Sequence, residues 1–295
     1  MKYSYFQLLF GHHEAFVQPE KTYQRLKQLG YSGLEITPPK GQHDRGISTE
    51  AYAKRHSELR NEYEMDIVCV NECWGKDWDP YIPDYKTLTE SKGAELAVSE
   101  TCSTIDFAFE VGAPLVTITA VIGEGITREN AEDAVAMAID TLQRISKYAK
   151  KKNIRVVFEA TNHIEVGRFI NSVAQHKRLI QLAAVKNAGI QIDTFHANIE
   201  EMGLYESIID ATPYLWHMHF RDSNGLLPGY GKIDFKTVLR ALRKINYAGY
   251  CTIEATGMMQ NPDDACRRAI NYLRLLEEIV DTQLSTEYPL GFQIG

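Results

Sequence analysis

Eight short runs of β-branched, leucine and aromatic residues recur along this chain, with helical patterns in the intervals between them. The runs cover residues 5–10, 33–37, 66–71, 115–120, 155–159, 190–193, 215–220 and 250–254. Most are near-continuous in apolar character, as expected of parallel strands buried on both faces. The intervals carry helix signals. Residues 19–29 close on Gly30, a C-cap position. Residues 127–150 place Ala131, Ala134, Val135, Ala138, Ile139, Leu142 and Ile145 at helical spacing. Asn261, Pro262, Asp263 and Asp264 open a last helix with a cap, a first-turn proline and acids near the positive end of the dipole. A strand–helix alternation repeated eight times over 295 residues predicts an α/β fold, a (β/α)8 TIM barrel in a single domain. Residues 1–280 form the barrel in this reading, and 281–295 a C-terminal tail. After the first run, Leu8 to Glu14 lacks the glycine spacing of a dinucleotide-binding turn.

Charge and composition argue against several kinds of partner. The net charge is −7, and Lys150, Lys151 and Lys152 form the longest block of like charge. Attraction to nucleic-acid phosphates or to anionic membranes is therefore not expected. No stretch approaches the ~20 apolar residues of a membrane span. The opening segment reads as a first strand and not as a signal peptide, so a cytoplasmic protein is expected. Cys69, Cys73, Cys102, Cys251 and Cys266 show no paired spacing and read as reduced thiols. The interval over residues 72–91 is long and carries Trp74, Trp78, Pro80, Tyr81, Pro83 and Tyr85. It is either a lid over substrate or a surface excursion packed on its own aromatics.

The last four runs each end on a metal-ligating residue type: Glu159, Asp193, His219 and Glu254. A closed parallel barrel gathers the C-terminal ends of its strands at one mouth, so residues far apart in sequence can share one coordination sphere. A lone carboxylate at the end of a buried strand is costly unless paired or metal-bound, and four such groups on successive strands are hard to explain as satisfied core polars. Three carboxylates and an imidazole suit Mn²⁺, Mg²⁺ or Co²⁺ better than a structural zinc. His217 leaves the same strand face as His219 but deeper, and reads as a hydrogen-bonding residue behind it. Asp222 and Asn224 follow in the loop, where they are candidates to orient substrate or ligands. His196 is either a substrate group or a helix cap, and Glu165 either a substrate group or a helix-dipole carboxylate. Two carboxylates beside one cation suit proton removal from a carbon next to a carbonyl, with the cation stabilising an enediolate. One carboxylate takes a proton and a second, on the opposite face, returns one. No nucleophile elbow offers a competing chemistry.

These residues carry a resemblance. The chain resembles the xylose-isomerase-like TIM-barrel superfamily of sugar phosphate isomerases and epimerases, nearest the D-tagatose/D-psicose (D-allulose) 3-epimerase branch. The segments are Glu159 to Glu165, Ile192 to Glu201, the stretch from His217 through Pro228, Gly229, Tyr230 and Gly231, and Ile253 to Ala255. The resemblance implies Glu159, Asp193, His219 and Glu254 as ligands, with Glu159 and Glu254 as the acid/base pair. It implies substrate contacts from Asn162, Glu165 and His196, and we add Arg221 and Trp74. It also implies a small carbohydrate substrate and a homodimer or homotetramer. Two positions depart from the branch. Gly225 stands where an arginine is usual, Arg221 being the nearest arginine, and His163 stands where arginine is frequent. These departures bear on the sugar more than on the metal.

The expected function is epimerisation or isomerisation of a ketose or keto-sugar. The alternative is a metal-dependent lyase on the same scaffold, either a subunit eliminating the aglycone of a 3-oxo-glycoside, like a C-deglycosidase, or a keto-inositol dehydratase. A nuclease on this barrel would need further histidines and a less acidic chain. A barrel that has lost catalysis and serves as a binding subunit would not need Glu159 and Glu254 intact.

Overall fold

The computed structural model describes residues 1–39, 47–72, 91–119, 126–164, 170–255 and 260–287. Eight strands close into a barrel: β1 (Lys2–Phe6), β2 (Gly33–Ile36), β3 (Asp66–Glu72), β4 (Leu115–Thr119), β5 (Arg155–Glu159), β6 (Ala188–Asp193), β7 (Leu215–Phe220) and β8 (Tyr250–Ile253). Each pairs in parallel with the next, and β8 closes on β1. The helices among the described residues are α1 (His12–Val17), α2 (Pro19–Leu29), α3 (Thr49–Tyr63), α4 (Ser91–Val111), α5 (Ala131–Lys151), α6 (Val173–Ala183), α7 (Thr194–Glu200), α8 (Leu204–Asp210), α9 (Phe235–Lys244) and α10 (Pro262–Glu287). No helix among the described residues is long and apolar enough to cross a membrane. Cys69, Cys102, Cys251 and Cys266 are free thiols.

Several strand ends shift by one or two residues from the sequence expectation, and three boundaries differ by more. The first strand is Lys2–Phe6 and not 5–10, because Gln7–Phe10 turn into a 3-10 helix. Leu9 and Phe10 are buried in the core by that turn, so their apolar character needs no strand pairing. Helix α5 starts at Ala131 and not at Thr127, whose backbone N–H donates to Asn130 Oδ1 at 2.7 Å in a preceding turn. Residues 281–287 are not a tail. They continue α10, where Arg243 holds Asp281 through Nε at 2.8 Å and Leu284 packs on the core. Residues 288–295 lie outside the described residues. Helix α2 ends as expected at Gly30, whose φ of +80° is the left-handed conformation that glycine adopts without strain.

The strands are not apolar throughout, a further departure. Phe158, Ile190, Ile192, Met218, Phe220 and Ile253 are buried in the core cluster. At the alternating positions stand Ser4, Glu35, Asn71, Thr117, Gln191, His217 and Thr252, also buried. These polar groups face the barrel axis, because their hydrogen bonds skip over intervening strands. Glu35 on β2 meets His217 and His219 on β7, and Thr117 on β4 donates to Gln191 on β6 at 2.6 Å. The interior therefore carries a set of buried polar groups beside a small apolar cluster that includes Cys69, Leu115 and Val157, with the main apolar layer lying under the helices.

Candidate metal centre

Glu159 ends β5, Asp193 ends β6, His219 is next to last in β7, and Glu254 directly follows β8. Register aligns them: Asp193 pairs with His219, and Glu159 pairs with Gln191, two residues before Asp193. One ligand atom from each of the four lies within 4.8 Å of the others, and all four residues are buried. Nδ1 of His219 is 2.6 Å from Glu254 Oε2 and 3.4 Å from Glu159 Oε1. Nη2 of Arg221 is 2.8 Å from Asp193 Oδ2. Close as they are, Glu254 Oε2 and Asp193 Oδ2 have no aligned hydrogen-bond donor. The other oxygen of Asp193 is used locally, accepting from the backbone N–H of Phe195 at 2.7 Å as it caps α7.

Burial pushes the Asp193 carboxyl up to about 6, against the pull of Arg221. Burial acts in the same sense on Glu254, but the charges on His219 and Arg221 outweigh it and bring that carboxyl down to about 2. The two titrate as a pair: charge stays on Glu254, flanked by cations, and the proton favours the more deeply buried Asp193. Burial disfavours a charged His219, yet Glu35 and Glu254 hold its imidazolium well above the ordinary range. The cluster gathers negative charge and recruits positive charge from its own side chains. Three carboxylates, one imidazole and two buried oxygens without donors form a donor set that fits a divalent cation of the Mn²⁺, Mg²⁺ or Co²⁺ type.

Around this cluster the predicted substrate groups fall into two sets. His196, in the first turn of α7, is buried, with Nε2 2.7 Å from Arg221 Nη2 and Nδ1 2.6 Å from Asn162 Nδ2. Burial, then Arg221, lowers its pKa to about 3, which keeps the imidazole neutral. Arg221 also lies over the Phe195 ring, 4.5 Å from its centroid. Asn162, His196 and Arg221 thus form one network adjoining Asp193. Trp74 and Glu165 lie outside the described residues, as do residues 73–90 of the long interval. His163 is exposed and pairs through Nδ1 with Glu200, turned from the network. Asp222 and Asn224 are engaged by the loop itself. Asp222 accepts from the backbone N–H of Ser223, Gly229 and Ile233, and Asn224 bonds the backbone of Leu226 and Tyr230, so both build the loop after β7.

Sequence reasoning missed the tier below. Glu35 accepts from His217 Nε2 at 2.7 Å, His219 Nε2 at 3.0 Å and Asn71 Nδ2 at 2.9 Å. His217 also contacts Thr252 Oγ1 at 3.1 Å, which bonds Ser4 Oγ at 2.7 Å. The placement of His217 behind His219 agrees with the expectation. The available signal for Glu35 was a carboxylate set between Leu34 and Ile36 in a strand.

The model of the xylose isomerase-like TIM barrel family matches residues 23–276. The chain belongs to that family. Among its curated relatives, 3-dehydro-D-guloside 4-epimerase of Escherichia coli (strain K12) is 31% identical over 138 residues, 47% of this chain and 52% of the relative. L-ribulose 3-epimerase of Methylomonas sp. (strain DH-1) is 32% identical over 129 residues, 44% of this chain and 43% of the relative. The chain spans about half the length of the curated relatives it matches. Family members of solved structure share the whole fold: D-psicose 3-epimerase from Clostridium cellulolyticum H10, with D-tagatose, superposes with a TM-score of 0.78. That match is 17% identical and covers 94% of this chain and 99% of the other.

Proposed function

We propose that the protein is a divalent-metal-dependent epimerase or isomerase of a ketose or keto-sugar. The observation that carries this is the convergence of Glu159, Asp193, His219 and Glu254 within 4.8 Å at the mouth of the barrel. Membership of the family, and relatives named for sugar epimerisation, supports it. Glu159, Asp193, His219 and Glu254 are the residues to hold Mn²⁺, with Mg²⁺ or Co²⁺ as substitutes. A bound cation would polarise the sugar carbonyl and offset the charge that grows on its oxygen. Glu159 and Glu254 are the proton-handling pair: one carboxylate removes the carbon-bound proton and the other delivers a proton to the opposite face. His196, neutral and held between Asn162 and Arg221, donates to or accepts from a sugar hydroxyl. Arg221, Glu165 and Trp74 complete the substrate contacts.

Elimination is a second reading. It is favoured by Gly225, which leaves Arg221 as the nearest arginine, and Arg221 is tied to Asp193 and His196. A group leaving from the next carbon would then replace proton return, as in cleavage of a 3-oxo-glycoside or dehydration of a keto-inositol. One experiment separates them: incubation with ketoses and 3-oxo-sugars in D₂O with Mn²⁺, read by mass spectrometry. Epimerisation gives a product of the substrate's composition carrying one solvent deuterium. Elimination gives a fragment or a dehydrated sugar. Neither exchange nor an elimination product from any substrate sinks both. We further propose a cytoplasmic homodimer or homotetramer, which sedimentation of the purified protein tests.

A further inference from the structure

Glu35 stands out among the buried groups the proposed chemistry leaves unused. It is fully buried within the barrel. An unpaired carboxylate there would be expelled or neutralised. Instead, both of its oxygens are paired. Its two oxygens face two imidazole nitrogens: His217 Nε2 at 2.7 Å from Oε2, and His219 Nε2 at 3.0 Å from both Oε1 and Oε2. Asn71 Nδ2 fixes the carboxylate from β3 at 2.9 Å. Glu35, His217 and His219 have the spacing of a second metal group. Their contacts, however, are aligned hydrogen bonds, in contrast with the unaligned approaches in the cluster above.

We infer that Glu35 is a positioning residue for the metal centre. By accepting from Nε2 of His219 it fixes the tautomer and turns Nδ1 toward Glu159 and Glu254; His217 and Asn71 hold Glu35 in turn. The inference rests on the metal reading of the upper cluster. The chemistry is general: an imidazole that ligates through one nitrogen is oriented by the hydrogen bond its other nitrogen makes.

The test is Mn²⁺ binding to the full chain, followed by the electron paramagnetic resonance signal of free Mn²⁺, in wild type and Glu35→Gln. The amide offers one acceptor oxygen where two imidazole N–H groups need partners. The expected result is Mn²⁺ affinity about 10–100-fold weaker in the variant, with the KM for sugar at saturating Mn²⁺ little changed. Equal affinity in a folded variant overturns the inference alone; no binding in wild type overturns the metal reading and the inference with it. Should Glu35→Gln fail to fold, imidazole nitrogen-15 shifts of Mg²⁺-loaded wild type decide the matter. Protonated Nε2 and bare Nδ1 on His219 are expected, and a proton on Nδ1 overturns the proposal.

Discussion

The two tiers of the barrel interior use the same residue types to opposite ends. In the lower tier, Glu35, His217, Asn71, Thr117 and Gln191 meet in aligned hydrogen bonds of 2.6–3.1 Å that satisfy both oxygens of Glu35 and leave His217 Nδ1 as the tier's one buried atom without a partner among the described residues. In the upper tier Asp193 Oδ2 and Glu254 Oε2 approach their cationic neighbours without an aligned donor. A buried carboxylate oxygen without a donor keeps acceptor capacity at a cost in stability. His219 joins the tiers: Nε2 meets Glu35 below, and Nδ1 meets Glu254 above while also lying 3.1 Å from Gln191 Nε2. The lower tier reads as a support and the upper tier as the proposed ligand set, and experiments that perturb one tier at a time should give different signatures.

The largest difference is expected from the upper tier. Glu254→Gln should lower turnover by about 10²–10⁴-fold through loss of a proton-transfer group. The variant should fold but melt somewhat lower than wild type without metal, because His219 and Arg221 hold the Glu254 charge. Steady-state kinetics beside a thermal melt checks both halves, and wild-type turnover would remove Glu254 from the proton-handling pair. Next in size is the response to metal. Mn²⁺ at a hundred times its dissociation constant should stabilise the wild type by about 2.7 kcal/mol, and a chelator should reverse the gain. Asp193→Asn should lose most of that gain at the same concentration, as read by denaturant melts with and without Mn²⁺.

The lower tier should respond in stability first. Thr117→Val keeps the shape of the side chain but removes the donor to Gln191 Oε1, a buried bond of 2.6 Å. The expected cost is about 1–3 kcal/mol. Turnover at saturating metal should fall far less than in Glu254→Gln; the reverse pattern would erase the distinction between the tiers. Outside both tiers, His56 and His176 provide a pH background. Burial lowers their pKa values from 6.5 to about 3 and about 4. Below pH 6.5 the unfolded chain takes up protons that the folded chain refuses. Stability is therefore full above that pH and falls as pH drops toward 4, by at most about 1.4 kcal/mol per pH unit for each histidine. Urea melts from pH 7 to pH 4.5 should show this slope. His176→Gln should make it shallower, and an unchanged slope would show that His176 is not held neutral by burial.

The barrel was legible in the sequence because each strand carries its own helix-facing apolar face, and that pattern is local. The residues of the upper cluster were legible because a charged residue ending an apolar run is conspicuous. The lower tier was not. Thr117, Gln191 and Thr252 look like ordinary strand residues, and Glu35 finds its partners 182 and 184 positions later, across the barrel axis. Only closure of the barrel makes them neighbours. Residues 5–10 misled for the converse reason: Leu9 and Phe10 are apolar to fill the core from a 3-10 turn and not to pair in a sheet. Asp222 misled because a loop carboxylate near a mouth has the same sequence appearance whether it serves a ligand or three backbone N–H groups.

Anomalous diffraction at the manganese edge, from crystals of the full chain soaked in Mn²⁺, bears most directly on the division between the tiers. The account predicts one strong peak inside the barrel, bounded by Glu159, Asp193, Nδ1 of His219 and Glu254. A peak among Glu35, His217 and His219 instead, or no peak at the mouth at saturating Mn²⁺, would contradict it.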